Sequence, residues 1–469
     1  MNLSEYEWPR PHGFQPFDHQ KLTAEFLVSN RKAFCFNEQG TGKTASVIWA
    51  TDYLMNVGAI KRVLVVCPLS IMKPAWQNDL FKFALHRTVA VAHGSRTKRK
   101  EIVNGNAEFV IINFDGLGIV KDEVINGGFD LIVVDEASAY KNAQTDRWKV
   151  LRDINRKIKG LWMLTGTPAA QSPADAYGLA KLVNPTGVPP FFGQFRDSVM
   201  NKMTMYKWVP KPTAIHVVHK ALQPAIRFEK SQCLDLPPVT FVERDAPLTK
   251  QQLGFYKLLK SQLMIEAAGE EISAVNAAVA INKLLQISCG SIYTDTGEVV
   301  DFDVSNRLNV VQEVIEESSH KVLVFVPFTH TINLLKTHLE KNGITCDVIN
   351  GEVSLNKRSE AVHRFQNQTD PKVLIIQPQA ASHGLTLTAA NTVIWYAPVS
   401  SVETYLQANA RIDRPGQKNN MTVVHIKGSA VEQRLYSMLQ NNISNHSKII
   451  DLYREEISDD RLTVSTEAI

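Results

Sequence analysis

At 469 residues, with 44% hydrophobic and 21% charged side chains, the chain has an ordinary globular composition and room for two large domains or roughly three average ones. A net charge of +4 admits a nucleic-acid partner without arguing for one, because a basic groove is easily hidden in a near-neutral total. No run reaches the roughly 20 apolar residues of a membrane span, and the first residues carry no signal-peptide core, so no membrane partner is expected. The cysteines Cys35, Cys67, Cys233, Cys289 and Cys346 show no CxxC spacing, which argues against a zinc site or disulfide framework and for an intracellular, reducing compartment.

In chain order, Phe17-Asp-His-Gln20 leads into an amphipathic helix from Lys21 to Ser29. The Gln20 amide could read the donor and acceptor edge of adenine, but by itself it reads as a solvated surface residue. Phe34-Cys-Phe36 is then a short apolar strand that breaks into Asn37-Glu-Gln-Gly-Thr-Gly-Lys-Thr44 and continues as an apolar helix. A strand, a glycine loop and a helix start are the context of a phosphate-binding loop. Gly40 and Gly42 let backbone N–H groups face an anion, to which the helix N-terminus adds partial positive charge. Lys43 is placed for the β- and γ-phosphates of ATP and Thr44 for Mg²⁺. Asn37 departs from GxxxxGK[ST] at the first glycine.

Arg62 to Ser70 contains a continuous apolar run ended by Pro68, which reads as a buried parallel strand, and Trp76 to Phe83 follows with a helical pattern. Glu108 to Asn113 is a further strand. Phe129-Asp-Leu-Ile-Val-Val-Asp-Glu136 ends an apolar run in adjacent carboxylates, placing them at the sheet edge where open α/β sheets bind ligands. Asp135 can hold Mg²⁺ and Glu136 can polarise a water. Leu161-Trp-Met-Leu-Thr-Gly-Thr-Pro168 repeats the device, with Thr165 and Thr167 at a strand tip. Alternating strands and helices predict an α/β fold with a parallel sheet.

These residues resemble the Swi/Snf family of double-stranded-DNA translocases within helicase superfamily two. Asp135-Glu-Ala-Ser-Ala-Tyr-Lys-Asn142 resembles the family's Asp-Glu-Ala-His box followed by Lys-Asn, Leu164 to Pro168 its third motif, and Pro68, Ser70 and Trp76 its first DNA-contacting motif. The resemblance implies two RecA-like parallel-sheet lobes with helical insertions and ATP hydrolysis with Mg²⁺ between them. It assigns Gln20 to adenine, Gln39, Gly40, Thr41, Gly42, Lys43 and Thr44 to the nucleotide, and Pro68 and Ser70 to nucleic acid. Ser138 replaces the box's histidine, so Ser138, Thr165 and Thr167 become the residues through which hydrolysis is coupled to movement, with Ser138 a departure that puts that coupling in question.

Further on, Asn201 to Lys211 mixes lysines with Tyr206 and Trp208 and reads as a loop covering the core. Leu236-Pro-Pro238 reads as a linker. A second βα series begins near Ser305, with strands at Lys321–Val326, Asp347–Ile349 and Val373–Ile376. Gly384-Leu-Thr-Leu-Thr-Ala-Ala390 resembles the fifth motif, bringing Gly384 to the nucleotide and Thr386 to nucleic acid. Gln407-Ala-Asn-Ala-Arg-Ile-Asp-Arg-Pro-Gly-Gln417 resembles the sixth, with Gln407 in coupling and Arg411 and Arg414 in catalysis. On a helix, arginines three apart share one face, and a guanidinium suits the spread charge of phosphoryl transfer.

The expected domains are residues 1–232, a first lobe with its helical protrusion; 233–304, a linker and the protrusion of the second lobe; 305–455, the second lobe; and 456–469, a polar tail. The segment from Pro398 to Gln407 suggests a compact viral or bacterial branch. The expected function is a motor on double-stranded DNA, with a protein partner in replication, recombination or repair. Alternatives are a helicase that separates strands of DNA or RNA, and a nucleotide-gated scaffold without productive turnover.

Overall fold

The computed structural model describes residues 3, 5–166, 168–169, 172–204, 208–233, 236–267, 274–293, 299–381 and 385–441. Apolar runs too short for a helix and closed by turn residues become strands. In the first half these are β1 Lys32–Cys35, β2 Val63–Cys67, β3 Val89–Ala92, β4 Phe109–Asn113, β5 Leu131–Asp135, β6 Gly160–Leu164 and β7 Ala225–Ile226. All pair in parallel, in the order β3-β4-β2-β5-β6-β1-β7.

Because side chains alternate along a strand, each strand feeds two cores. Leu64 and Val66 of β2 join one with Tyr140, Leu151 and Leu179, while Val63, Val65 and Cys67 join another with Ile48, Trp49, Trp76 and Trp162. Helices α1 (Asp18–Ser29) and α2 (Lys43–Asn56) pack on the second core. The N-terminal segment straps α2 from outside: Tyr6 Oη donates to the buried Asp52 at 2.6 Å, and Trp49 Nε1 donates to Pro9 O at 2.8 Å.

The chain divides into two units between Leu236 and Pro237. The second unit holds β8 Val239–Asp245, β9 Lys321–Phe325, β10 Cys346–Ile349, β11 Val373–Ile376, β12 Ala390–Trp395 and β13 Met421–Lys427. These are again all parallel, ordered β8-β13-β12-β9-β11-β10. An inserted helix pair, Lys250–Ala267 and Ala274–Cys289, packs Tyr256 and Leu284 against Val431 and Leu435 of helix Ala430–Gln440. Beneath them the buried Arg307 pairs with Glu432 at 2.8 Å and donates to Tyr396 O at 2.6 Å. The fold is therefore α/β, with two RecA-like parallel-sheet lobes carrying helical insertions. Among the described residues no helix is long and apolar enough to cross a membrane.

Three local expectations are corrected. The helix expected from Lys21 begins at Asp18 and includes Gln20, because Phe17 N and the Gln20 side chain close a cap at its first turn. The helix expected from Trp76 is instead a 3₁₀ turn, Leu69–Ile71, a π-helical segment, Met72–Gln77, and only then a short α-helix, Asn78–Phe83. The loop at 201–211 carries an antiparallel hairpin, Met200–Lys202 with Trp208–Pro210, whose Trp208 ring lies 3.9 Å under the Arg196 guanidinium. Tyr206 and the polar tail lie outside the described residues.

Candidate nucleotide site

Register sets the frame of the site. Cys35 at the end of β1 and Asp135 at the end of β5 both pair with Leu164 at the end of β6. The three strand ends are level, so the loop leaving β1 and the carboxylate ending β5 stand about 10 Å apart, two strand spacings. Thr165, immediately beyond β6, lies between them, buried, with its N–H on Cys35 O at 3.1 Å.

The loop after β1 is held in shape by its own neighbours. Gly40 and Gly42 take φ of +85° and +80°, the left-handed region that a side chain resists. Thr41 is buried, and its carbonyl accepts from Gln20 Nε2 at 3.2 Å and faces His19 Nε2 at 2.8 Å. Gln20 is therefore no surface residue: it is buried, and its Oε1 accepts from Phe17 N at 3.1 Å, so its amide braces the loop. Asn37 is buried too; its Nδ2 donates to Thr23 Oγ1 at 2.8 Å and its Oδ1 accepts from Phe228 N at 3.0 Å. That crosslink between α1 and the segment after β7 explains why an amide stands at the glycine position of the pattern.

Lys43 and Thr44 open α2, half-buried. The Lys43 ammonium donates to Asn37 O at 2.7 Å and Glu38 O at 3.1 Å, folded over the loop it follows. Gln39 Oε1 is buried without a hydrogen-bond partner. A glycine loop with a cation over it and a helix N-terminus form a set that fits a polyphosphate, while the unpaired Gln39 Oε1, an acceptor, suits a metal-bound water better than a phosphate oxygen.

Asp135 is half-buried, with one donor on each oxygen: Trp76 Nε1 on Oδ2 at 2.9 Å and Glu136 N on Oδ1 at 3.0 Å. Burial raises its carboxyl above the ordinary carboxylate range, while the Lys43 charge and these donors oppose the rise. Remaining lone pairs on a desolvated carboxylate near a phosphate loop suit Mg²⁺. Glu136 has φ +53°, the one positive value among the described non-glycine residues. Such strain costs about 1–3 kcal/mol and clusters where function requires it. Ser138 lies in the following 3₁₀ turn, Ala137–Tyr140, half-buried.

Of the residues expected to meet nucleic acid, Pro68 is buried and Ser70 half-buried; Trp76, which completes the same motif pattern, is buried in the core on Asp135. Nothing local in the sequence joins Trp76 to a carboxylate 59 positions away.

In the second lobe the arginines are corrected as well. Helix Val402–Asn409 ends before them, so Arg411 and Arg414 lie in the turn that follows rather than along one helix face. The buried Arg411 donates from Nε to Gln407 O at 2.9 Å. Gln407, itself buried, extends Nε2 to Glu403 at 3.3 Å. Arg414 is half-buried; its Nε donates to Ala410 O at 2.7 Å and its Nη1 to Thr386 Oγ1 at 3.2 Å. Leu387 N donates to Arg411 O at 3.0 Å and Gln417 Nε2 to Ala390 O at 2.8 Å, so the segments around Thr386 and Arg414 form one unit. Thr167 and Gly384 lie outside the described residues.

Comparison with known proteins identifies the family. The model of the SNF2-related domain matches residues 19–290, and that of the helicase conserved C-terminal domain matches 306–416. The chromodomain-helicase-DNA-binding protein 1-like of Danio rerio is 25% identical over 448 residues, covering 90% of this chain and 42% of that protein. An uncharacterized ATP-dependent helicase of Mycoplasma genitalium is 25% identical over 417 residues, covering 85% of this chain and 38% of that protein. The chain thus spans about two fifths of the length of these relatives. A solved Sulfolobus solfataricus SWI2/SNF2 ATPase core in complex with dsDNA is 22% identical, covers 96% of this chain and 95% of that one, and gives a TM-score of 0.46.

Proposed function

We propose a function that proceeds from one premise: the chain belongs to the SNF2-related domain family, whose model matches more than half of it. Its activity is ATP hydrolysis coupled to movement along double-stranded DNA. The observation that carries the reading is the level row of strand ends that sets a glycine loop with Lys43 and the carboxylates Asp135 and Glu136 on one sheet edge.

ATP with Mg²⁺ supplies the scissile phosphoanhydride bond and the charge screening that phosphoryl transfer needs. Gly40, Gly42 and the N-terminus of α2 present N–H groups to phosphate, and Lys43 adds a full positive charge. Gln20 and His19 hold the loop from behind through Thr41 O. Thr44 and Asp135 would hold the metal. Glu136, displaced from the strand line by its left-handed backbone, polarises the attacking water. Arg411 and Arg414 are the second lobe's contribution to the charge of the transition state, an effect worth roughly 10³ to 10⁵ in rate for an arginine finger. Ser138 and Thr165, on the first lobe with Asp135 and Glu136, are the coupling residues in this reading. Thr386, on Arg414, carries contact with the DNA backbone toward that arginine.

Duplex DNA is proposed as partner because the family match is joined by a helicase C-terminal domain and by a relative named for DNA binding. The free cysteines, Cys35, Cys67, Cys233, Cys289 and Cys346, support a reducing intracellular compartment; burial pushes the Cys35 thiol up to about 11. The test is steady-state hydrolysis by the full chain with no polymer, blunt duplex DNA, single-stranded DNA or RNA, at low salt. Strong stimulation by duplex is expected. Stimulation by single strands or RNA alone would replace this reading with strand separation, and no hydrolysis in any arm would leave a nucleotide-gated scaffold.

A further inference from the structure

Trp76 occupies a place that core packing alone does not explain. Buried indoles need a partner for the N–H, and others in this chain find uncharged ones: Trp49 uses Pro9 O, Trp148 uses Gly178 O, Trp162 uses Asn30 O and Trp395 uses Asn409 Oδ1. Trp76 instead gives its N–H to Asp135 Oδ2 at 2.9 Å, in a charge-assisted bond. It does so from Met72–Gln77, a π-helical segment; such widened turns are rare and frequent at functional sites. Met72, Leu80 and Phe83 around it are buried, so the ring cannot swing away.

We propose that Trp76 is a positioning residue for the magnesium ion, fixing the Asp135 carboxylate so that its free lone pairs face the metal. An indole suits this task because it has one donor and no acceptor and carries no charge. It fixes the direction of the carboxylate without neutralising it, as a lysine or arginine there would, and without becoming a ligand. Glu136 N on Oδ1 completes the clamp from the other side. The inference rests on the ATP reading above and goes beyond it in giving the metal site an outer support 59 positions away in sequence.

The test compares the full wild-type chain with Trp76→Phe and with replacement of Trp76 by benzothienylalanine, an isostere whose sulfur stands in place of N–H. Mn²⁺ binding in the presence of ADP is followed by electron paramagnetic resonance. Binding of a fluorescent ATP analogue without metal and the melting temperature are measured beside it. Loss of this supporting donor should weaken Mn²⁺ binding about 10-fold or more, with metal-free nucleotide binding unchanged and the melting temperature lowered only by the modest amount expected for one lost buried hydrogen bond. If Trp76→Phe fails to fold, the isostere decides the matter. Unchanged Mn²⁺ affinity in the folded isosteric variant overturns the proposal, as does an equal loss of metal-free nucleotide binding, which would mark general damage. A wild-type chain that binds nucleotide but shows no Mn²⁺ enhancement overturns it too. A wild-type chain that binds no nucleotide at all overturns the ATP reading itself, and this inference falls with it.

Discussion

Gly42→Ala is the substitution whose consequence can be worked most directly from the structure. A β-carbon at Gly42 would come 2.1 Å from Gln20 Nε2, and the residue sits at φ +80°. The left-handed backbone costs alanine about 1–2 kcal/mol. Pushing the Gln20 amide aside breaks its bond to Thr41 O, which keeps His19, and leaves the buried Gln20 Nε2 unsatisfied, at a cost of about 1–3 kcal/mol more. The expected destabilisation is therefore about 2–5 kcal/mol. Gly58 supplies the control: it has φ +71° and nothing within 4 Å of its virtual β-carbon, so Gly58→Ala should show the backbone cost of about 1–2 kcal/mol alone. The side-chain part is isolated by a double-mutant cycle, because Gln20→Ala removes the atom that is struck. In that background Gly42→Ala should cost about 1–3 kcal/mol less than in the wild type. Chemical denaturation of the full chain measures stability, and a fluorescent ATP analogue reports the loop. Strict additivity of Gln20→Ala and Gly42→Ala, or equal costs at Gly42 and Gly58, would refute the claim that Gln20 braces the loop.

Lys43→Ala should lower hydrolysis at least about 100-fold while duplex-DNA affinity in a filter-binding assay stays near wild type; substantial residual turnover would remove the loop from the mechanism. Arg414→Ala should cost roughly 10³-fold or more in turnover with nucleotide affinity nearly unchanged, and a mild effect would return that turn to a structural role. Affinity for duplex DNA should fall steeply with salt and vary little with sequence, a dependence that a salt titration reads directly. His425 gives a pH prediction. It is buried against Tyr405, Tyr436, Gln440 and Phe241, and burial depresses its pKa from 6.5 to about 4 while Glu243 opposes the shift. The unfolded chain then takes a proton near pH 6.5 and the folded chain only near 4. Stability is complete above that window and declines as pH falls through it, by up to about 3 kcal/mol. His425→Gln should remove this slope from unfolding measured between pH 7.5 and 4; an unchanged slope would place its origin elsewhere.

Much of the site was legible in the sequence because its parts are local. A phosphate loop needs glycines, a lysine and a hydroxyl within a few residues, and the chain shows Gly40, Gly42, Lys43 and Thr44 in that order between a strand and a helix. Asp135 and Glu136 were marked by the apolar run they end. What the sequence could not determine is what lies across the sheet. Strand order, not chain order, makes the ends of β1 and β5 level through β6. Likewise β8, β12 and β13 hold up the second sheet without having stood out as strands.

The same limit explains the errors in detail. Gln20 read as solvated because its helix face was visible but its contact with Thr41, 21 positions on, was not. Trp76 completed a short pattern that carried no sign of its N–H partner, Asp135, 59 positions on. Arg411 and Arg414 have helical spacing, but Leu387 N and Gln417 Nε2 bond into their segment and hold it as a turn after Asn409. Sequence by itself determined the chemistry available, since side-chain type and short spacing are covalent facts. Tertiary structure decided which groups are buried, braced or aimed, because those depend on hydrogen bonds between segments far apart in the chain.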